Sequence, residues 1–134
     1  PGTGDEPLSV CQLIEKPDGA VIVTTPQDVA LADVRKSVTF CRQLNIPVLG
    51  VIENMSGFHC PHCGTVTEIF KSGGGKAMAE DMGVPFLGKI PIETHIVHGG
   101  DAGTPFTDLI SDESSVAIDS FNSIVDILTK GAIQ

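Results

Sequence analysis

The stretch "AVIVTTPQDVALADVRKSVTFCRQLNIPVLGVIE", residues 20–53, decides the fold. It opens on Ala20 to Thr25, a short, nearly continuous apolar run rich in β-branched residues, the pattern of a strand covered on both faces. "TPQD" follows at once, with Thr25 placed to cap a helix, Pro26 at its first position and Asp28 three residues after the cap. Leu31, Val34, Val38 and Cys41 then recur at helical offsets while Asp33, Arg35, Lys36 and Arg42 lie elsewhere, so this helix has one apolar face and ends near Leu44. Pro47 to Glu53 reads as a second buried strand. Strand, helix and parallel strand in that order make a β-α-β unit with a right-handed crossover, and the fold class is α/β with a doubly wound, mostly parallel sheet.

The flanks extend the pattern. Leu8, Cys11 and Ile14 recur at helical spacing, predicting a helix over Glu6 to Ile14 with Cys11 on its buried stripe. Downstream, "TVTEIF" alternates as a small strand or hairpin arm that carries the cysteines before it away from the sheet. "SGGG" opens a helix containing Met78 and Met82 and closed by Gly83, and "VPFLGKIP" is a third strand ending at Pro91. "ETHIVHGGDAGTPF" has no clear period and reads as a long loop, a place where function often sits. The last helix is expected from Ser111 as N-cap, with Asp112 and Glu113 in its first turn and Ala117, Phe121, Ile124, Val125 and Leu128 on one face.

At 134 residues the expectation is a single domain over 1–134. Eight basic against seventeen acidic side chains give a net charge of −9, which argues against general attraction to nucleic acid or to an anionic membrane. No apolar run approaches the roughly 20 residues of a membrane span and no signal segment is evident, so a cytoplasmic protein is expected. The chain begins "PGTGDEP", without Met and inside what reads as a loop, so the first part of the parent protein is expected to lie upstream. A sheet without that part leaves a face or edge for the missing strands to cover.

Ligands of open parallel sheets bind beyond the carboxyl ends of the strands, where "TTPQD", "ENMSG" and "IPIET" converge. Asn54 sits one residue past the second strand. Its amide offers a donor and an acceptor spaced for the N6 and N7 edge of adenine, although Asn after a strand also serves as turn chemistry. "SGGGKA" is not a phosphate loop: Phe70 stands five residues before Gly75 where Gly is required, and Ala77 follows Lys76 where a hydroxyl is required. It reads as a flexible start to a helix.

"HCPHC", residues 59–63, carries the strongest chemistry. Cys60 and Cys63 are spaced to chelate one metal, with Pro61 stiffening the turn and Gly64 permitting a positive φ after it. Two thiolates fill half of a tetrahedral zinc site or half the ligand set of an iron–sulfur cluster. Cys11 and Cys41 lie on apolar helix stripes, where free Cys acts as a small hydrophobe. A second copy of the chain supplying its own Cys60 and Cys63 is the economical completion. A redox dithiol is the competing reading, demoted because a strand rather than a helix follows the pair.

"PGTGD", "GAVIVTTPQDVALADVRK", "PVLGVIENMSGFHCPHCG", "GGGKAMAEDMGVPFLGKIP" and "DAGTPF" together closely resemble the Mrp/ApbC family of nucleotide-binding iron–sulfur cluster carriers, within the MinD-like P-loop ATPases. The resemblance runs from Pro1 to about Phe106 and implies the C-terminal part of a P-loop NTPase. It implies that Cys60 and Cys63 hold a labile 4Fe–4S cluster bridging a homodimer for delivery to apo iron–sulfur acceptor proteins. It also implies that Asn54 reads adenine, that Pro91 and Ile92 lie near the base, and that Gly2, within "PGTGD", belongs to a phosphate-sensing switch. The family's Walker A loop precedes "PGTGD", so ATP with Mg and any ATPase activity are expected of the full-length protein only. Two rivals stand beside this: a zinc-bridged structural dimer, and a MinD-like positioning ATPase, whose basic amphipathic tail is missing from a last helix with Asp112, Glu113, Asp119 and Asp126 against Lys130.

Overall fold

The computed structural model describes residues 5–105 and 115–131. Gly2 and Ser111 lie outside them. The elements run α1 (Asp5–Leu13), β1 (Ala20–Thr24), α2 (Asp28–Gln43), β2 (Val48–His59), β3 (Val66–Thr67), α3 (Gly74–Met82), β4 (Phe86–Ile92), α4 (Thr94–Ala102) and α5 (Val116–Gly131). β2 is the central strand. β1 lies parallel on one side, with Val21 opposite Gly50 and Thr24 opposite Glu53, and β4 lies parallel on the other, with Val51 opposite Phe86 and Asn54 opposite Ile90. β3 joins the far end of β2 antiparallel, pairing Phe58 with Thr67 and His59 with Val66.

Alternation along β2 assigns its two faces. Val51 packs with Ile22 under Leu31, Val38 and Cys41 of α2 and Met78 and Ala79 of α3. Ile52 points the other way, packing with Leu87 beneath Ile124 of α5. This two-sided covering is that of a doubly wound sheet, and Cys41 behaves as a core hydrophobe: burial, then repulsion from Cys11, pushes its thiol pKa up. β1 is covered on one face only, rather than on the two expected of its apolar run. Val21 and Val23 on the other face are 36% and 55% exposed while α5 packs over β4 and β2, which leaves an open face of the kind also expected from the sequence.

Several boundaries also differ from expectation. α2 starts at Asp28 with Gln27 as its N-cap, and no side chain caps it. Thr25 and Pro26 are not its cap and first residue, because Pro26 is buried in the junction with α3, its carbonyl lying against Gly74. α1 is only partly covered: Cys11 is half-buried and Ile14 is 48% exposed. β2 runs on past Glu53 to His59 through a bulge, and its tail pairs again with β4 at Phe58 and Ile92. The segment expected as a loop contains α4, whose Gly99 and Gly100 erase the propensity that would have announced a helix; Gly103, at φ +66°, ends it. α5 starts at Val116, where the Ser115 hydroxyl accepts the Ile118 N–H at 3.2 Å, and Val125 on its expected apolar face is 38% exposed.

Met78 is 1% exposed between α3 and the sheet, so Met78→Ala should cost about 2–5 kcal/mol in urea unfolding. Val97→Ala, at a side chain 59% exposed, should stay within about 0.5 kcal/mol.

Candidate functional site

Two features rise from the carboxyl end of β2: a cavity beside Asn54 and a hairpin tipped by Cys60 and Cys63. Between them the backbone is irregular. Four steps along β2, from Asn54 to Phe58, face two along β4, from Ile90 to Ile92, which is a β-bulge, and within it Met55 adopts φ +56° and Gly57 φ +86°. Asn54 Oδ1 accepts the Met55 N–H at 2.9 Å, so the amide oxygen performs turn chemistry.

Glu53 sits at the base of this bulge and is fully buried. Its Oε1 accepts the Ser56 hydroxyl at 2.5 Å and the Gly73 N–H at 2.8 Å, and its Oε2 accepts the Gly75 N–H at 2.5 Å. Burial alone would push this carboxyl up, but the hydrogen bonds from Ser56, Gly73 and Gly75, with the Lys89 charge, outweigh it and hold the pKa below the ordinary 4.5. The start of α3 is therefore an anion site filled from within the chain. "SGGG" is accordingly packed rather than flexible. A Cβ on Gly74 would come 2.5 Å from the Pro26 carbonyl, and one on Gly75 3.0 Å from Glu53 Oε2.

The cysteine turn is closed by its own backbone. The Gly64 N–H donates to the Cys60 carbonyl at 2.9 Å, the Cys60 N–H donates to the Thr65 carbonyl at 3.1 Å, and Gly64 takes the positive φ of +69° expected of it. Cys60 is half-buried and Cys63 exposed. Cys63 Sγ lies 3.3 Å from Thr65 Oγ1. Hydrogen bonding by the Thr65 side chain, then its backbone, then the Cys60 thiol, holds the Cys63 pKa below its ordinary value and favours the thiolate that binds metal. Among the described residues no third Cys, His, Asp or Glu completes a metal cluster. The donor set fits a soft metal or an iron–sulfur cluster, as half of its ligands.

Asn54, Pro91 and Ile92 line one cavity of about 310 Å³ with Phe70, Ile96 and Val97. Mostly apolar walls, with the Asn54 amide and the Glu93 carboxylate as polar groups, suit a flat heterocycle. The cysteines are not part of this cavity, so Asn54 of β2 with Pro91 and Ile92 of β4 lie in one place and Cys60 and Cys63, past the end of β2, in another, and Gly2 lies outside the described residues. The roles of Glu53, Ser56, Thr65, Ser72 and Lys89 carry no spacing signature. The nearest signal was an acidic residue ending an apolar strand in a chain that also has a glycine-rich helix start.

The profile described as "ParA: NUBPL iron-transfer P-loop NTPase" matches residues 1–129. The chain belongs to this family. It is 48% identical over 136 residues to a cytosolic Fe-S cluster assembly factor NUBP2 homolog of Nematostella vectensis, covering all of this chain and 50% of that protein. It is 51% identical over 105 residues to an iron-sulfur cluster carrier protein of Methanocaldococcus jannaschii, covering 78% of this chain and 36% of that one. Among solved structures, a nucleotide-binding protein from Archaeoglobus fulgidus in complex with ADP superposes with a TM-score of 0.69 at 42% identity, over 79% of this chain and 43% of that one. The chain spans half or less of the length of these relatives. The fold is that of the P-loop NTPases in this iron-transfer family. No helix among the described residues is long and apolar enough to cross a membrane.

Because the folded pKa of Glu53 lies below its unfolded value, its contribution to stability is present above the ordinary carboxylate range and lost as pH falls through the folded value. Glu53→Gln, which turns an amide N–H₂ toward backbone donors, should lower stability at neutral pH by on the order of 3 kcal/mol and flatten the acid limb of a stability–pH curve.

Proposed function

We propose that this chain is the cluster-presenting part of an ATP-binding iron–sulfur cluster carrier, in which Cys60 and Cys63 of two subunits hold a labile 4Fe–4S cluster and hand it to apo-protein acceptors in the cytosol. The observation that carries this reading is the pair of thiols alone at an exposed hairpin tip, with half of a ligand set and no third ligand among the described residues. The names of the relatives, cluster assembly factor and cluster carrier, support the same cargo.

The chemistry follows from stoichiometry. Each subunit contributes two thiolates, so separating or rotating the subunits exposes the cluster without opening a closed four-cysteine site in one chain. Cys63 meets the cluster already biased toward thiolate by Thr65. Adenine nucleotide would occupy the cavity lined by Asn54, Pro91 and Ile92, with Mg held by the complete protein, and family likeness makes Gly2 part of the switch that senses the terminal phosphate. ATP then acts by changing subunit geometry.

In the complete protein isolated without oxygen, iron and acid-labile sulfide should be found together, and Cys60→Ala or Cys63→Ala should remove both while leaving nucleotide affinity within about twofold. Zinc without sulfide would instead make the cysteines a structural dimer clamp. Asn54→Ala should weaken ATP binding by about 1–3 kcal/mol, measured by calorimetry, with a smaller change for GTP.

A further inference from the structure

Between the Asn54–Ile90 and Phe58–Ile92 pairings, the bulged neck of β2 is tied down by a side chain. Ser56 is half-buried; its hydroxyl donates to Glu53 Oε1 at 2.5 Å and lies 3.3 Å from Ser72 Oγ, which accepts the Lys89 Nζ at 2.7 Å. The Ser56 hydroxyl thus touches both the strand carboxylate and the segment before α3, and Lys89 of β4 joins through Ser72. The rest of the neck has little regular pairing: the β4 register is interrupted between Asn54 and Phe58, and Met55 and Gly57 both sit at positive φ. Beyond it Phe58 pairs with Ile92 of β4, and Phe58 and His59 pair with β3, before the cysteines begin. On the other side Asn54 and Met55 form part of the cavity wall.

The donors to Glu53 divide by what they hold. Gly73 and Gly75 fix α3, and they keep doing so if Ser56 loses its hydroxyl. Ser56 is the one of the three that comes from the neck, and its hydroxyl also lies against Ser72 just before α3. We propose that Ser56 is the positioning residue of the cysteine hairpin: its bond to Glu53 locks the bulge so that Cys60 and Cys63 leave the sheet in one direction, and unlocking it speeds loss of the cluster they hold. This rests on the carrier reading above. Loss of this charge-assisted hydrogen bond shifts the locked-to-unlocked ratio by on the order of tenfold or more.

The test uses the complete protein, loaded anaerobically with its cluster, and follows iron transfer to a ferrous chelator. Ser56→Ala should release iron on the order of tenfold faster than wild type, and Ser56→Thr, which restores the hydroxyl, should return the rate to within about twofold. In unloaded protein, hydrogen exchange at residues 54–59 should quicken by a similar factor in Ser56→Ala while residues 48–53 keep wild-type protection. Release from Ser56→Ala at the wild-type rate, or no rescue by threonine, overturns the positioning role. If Cys60→Ala keeps its cluster the carrier reading fails instead, and the exchange measurement then decides the lock alone: unchanged exchange at 54–59 overturns it.

Discussion

A single buried carboxylate organises the working end of this molecule. Removing an ionised group from water is costly unless it is fully hydrogen-bonded, and Glu53 meets that condition only if three donors from two segments arrive together. The helix start must approach closely enough to present two backbone N–H groups, which leaves no room for a Cβ at Gly74 or Gly75. The neck must bend enough to bring back the Ser56 hydroxyl. The glycine run, the placing of Pro26 against Gly74 and the bulge in β2 answer to the same constraint.

That constraint separates two tasks along one strand. Up to Glu53, β2 is core, with Val51 under α2 and α3 and Ile52 under α5. Past Glu53 it is equipment: Asn54 at the cavity, Ser56 at the pin, Cys60 just beyond its end. Five residues separate the amide proposed to read a base from the first thiol proposed to hold a cluster. A change in the cavity wall is thereby mechanically close to the hairpin, without any long chain of intermediaries.

The parallel sheet was legible because hydrophobic burial writes itself into local sequence: residues 20–53 alternate between two unmistakable apolar strands and one amphipathic helix. The cysteine pair was equally plain, since a metal half-site consists of adjacent residues. Asn54, Pro91 and Ile92 were assigned by family likeness, and the fold brings all three to one cavity. What stayed hidden depends on contacts distant in sequence or on weak propensity. Glu53 meets donors about twenty residues away, α4 is interrupted by Gly99 and Gly100, and whether β1 is covered depends on where α5 lands. "SGGG" was read as flexible because glycine is permissive in an unfolded chain; here small size matters at Gly74 and Gly75, and freedom only at Gly73, which takes φ +87°.

The turn around Cys60 and Cys63 closes on itself through Gly64 and Thr65, and borrows nothing from the sheet to do so. The bite of the chelate is therefore a local property, while its aim belongs to the fold beneath. Such a part is transplantable in principle: the loop keeps its spacing wherever a two-stranded stem presents it, and a lineage could swing, lengthen or shorten that stem to suit a new recipient without re-inventing the grip.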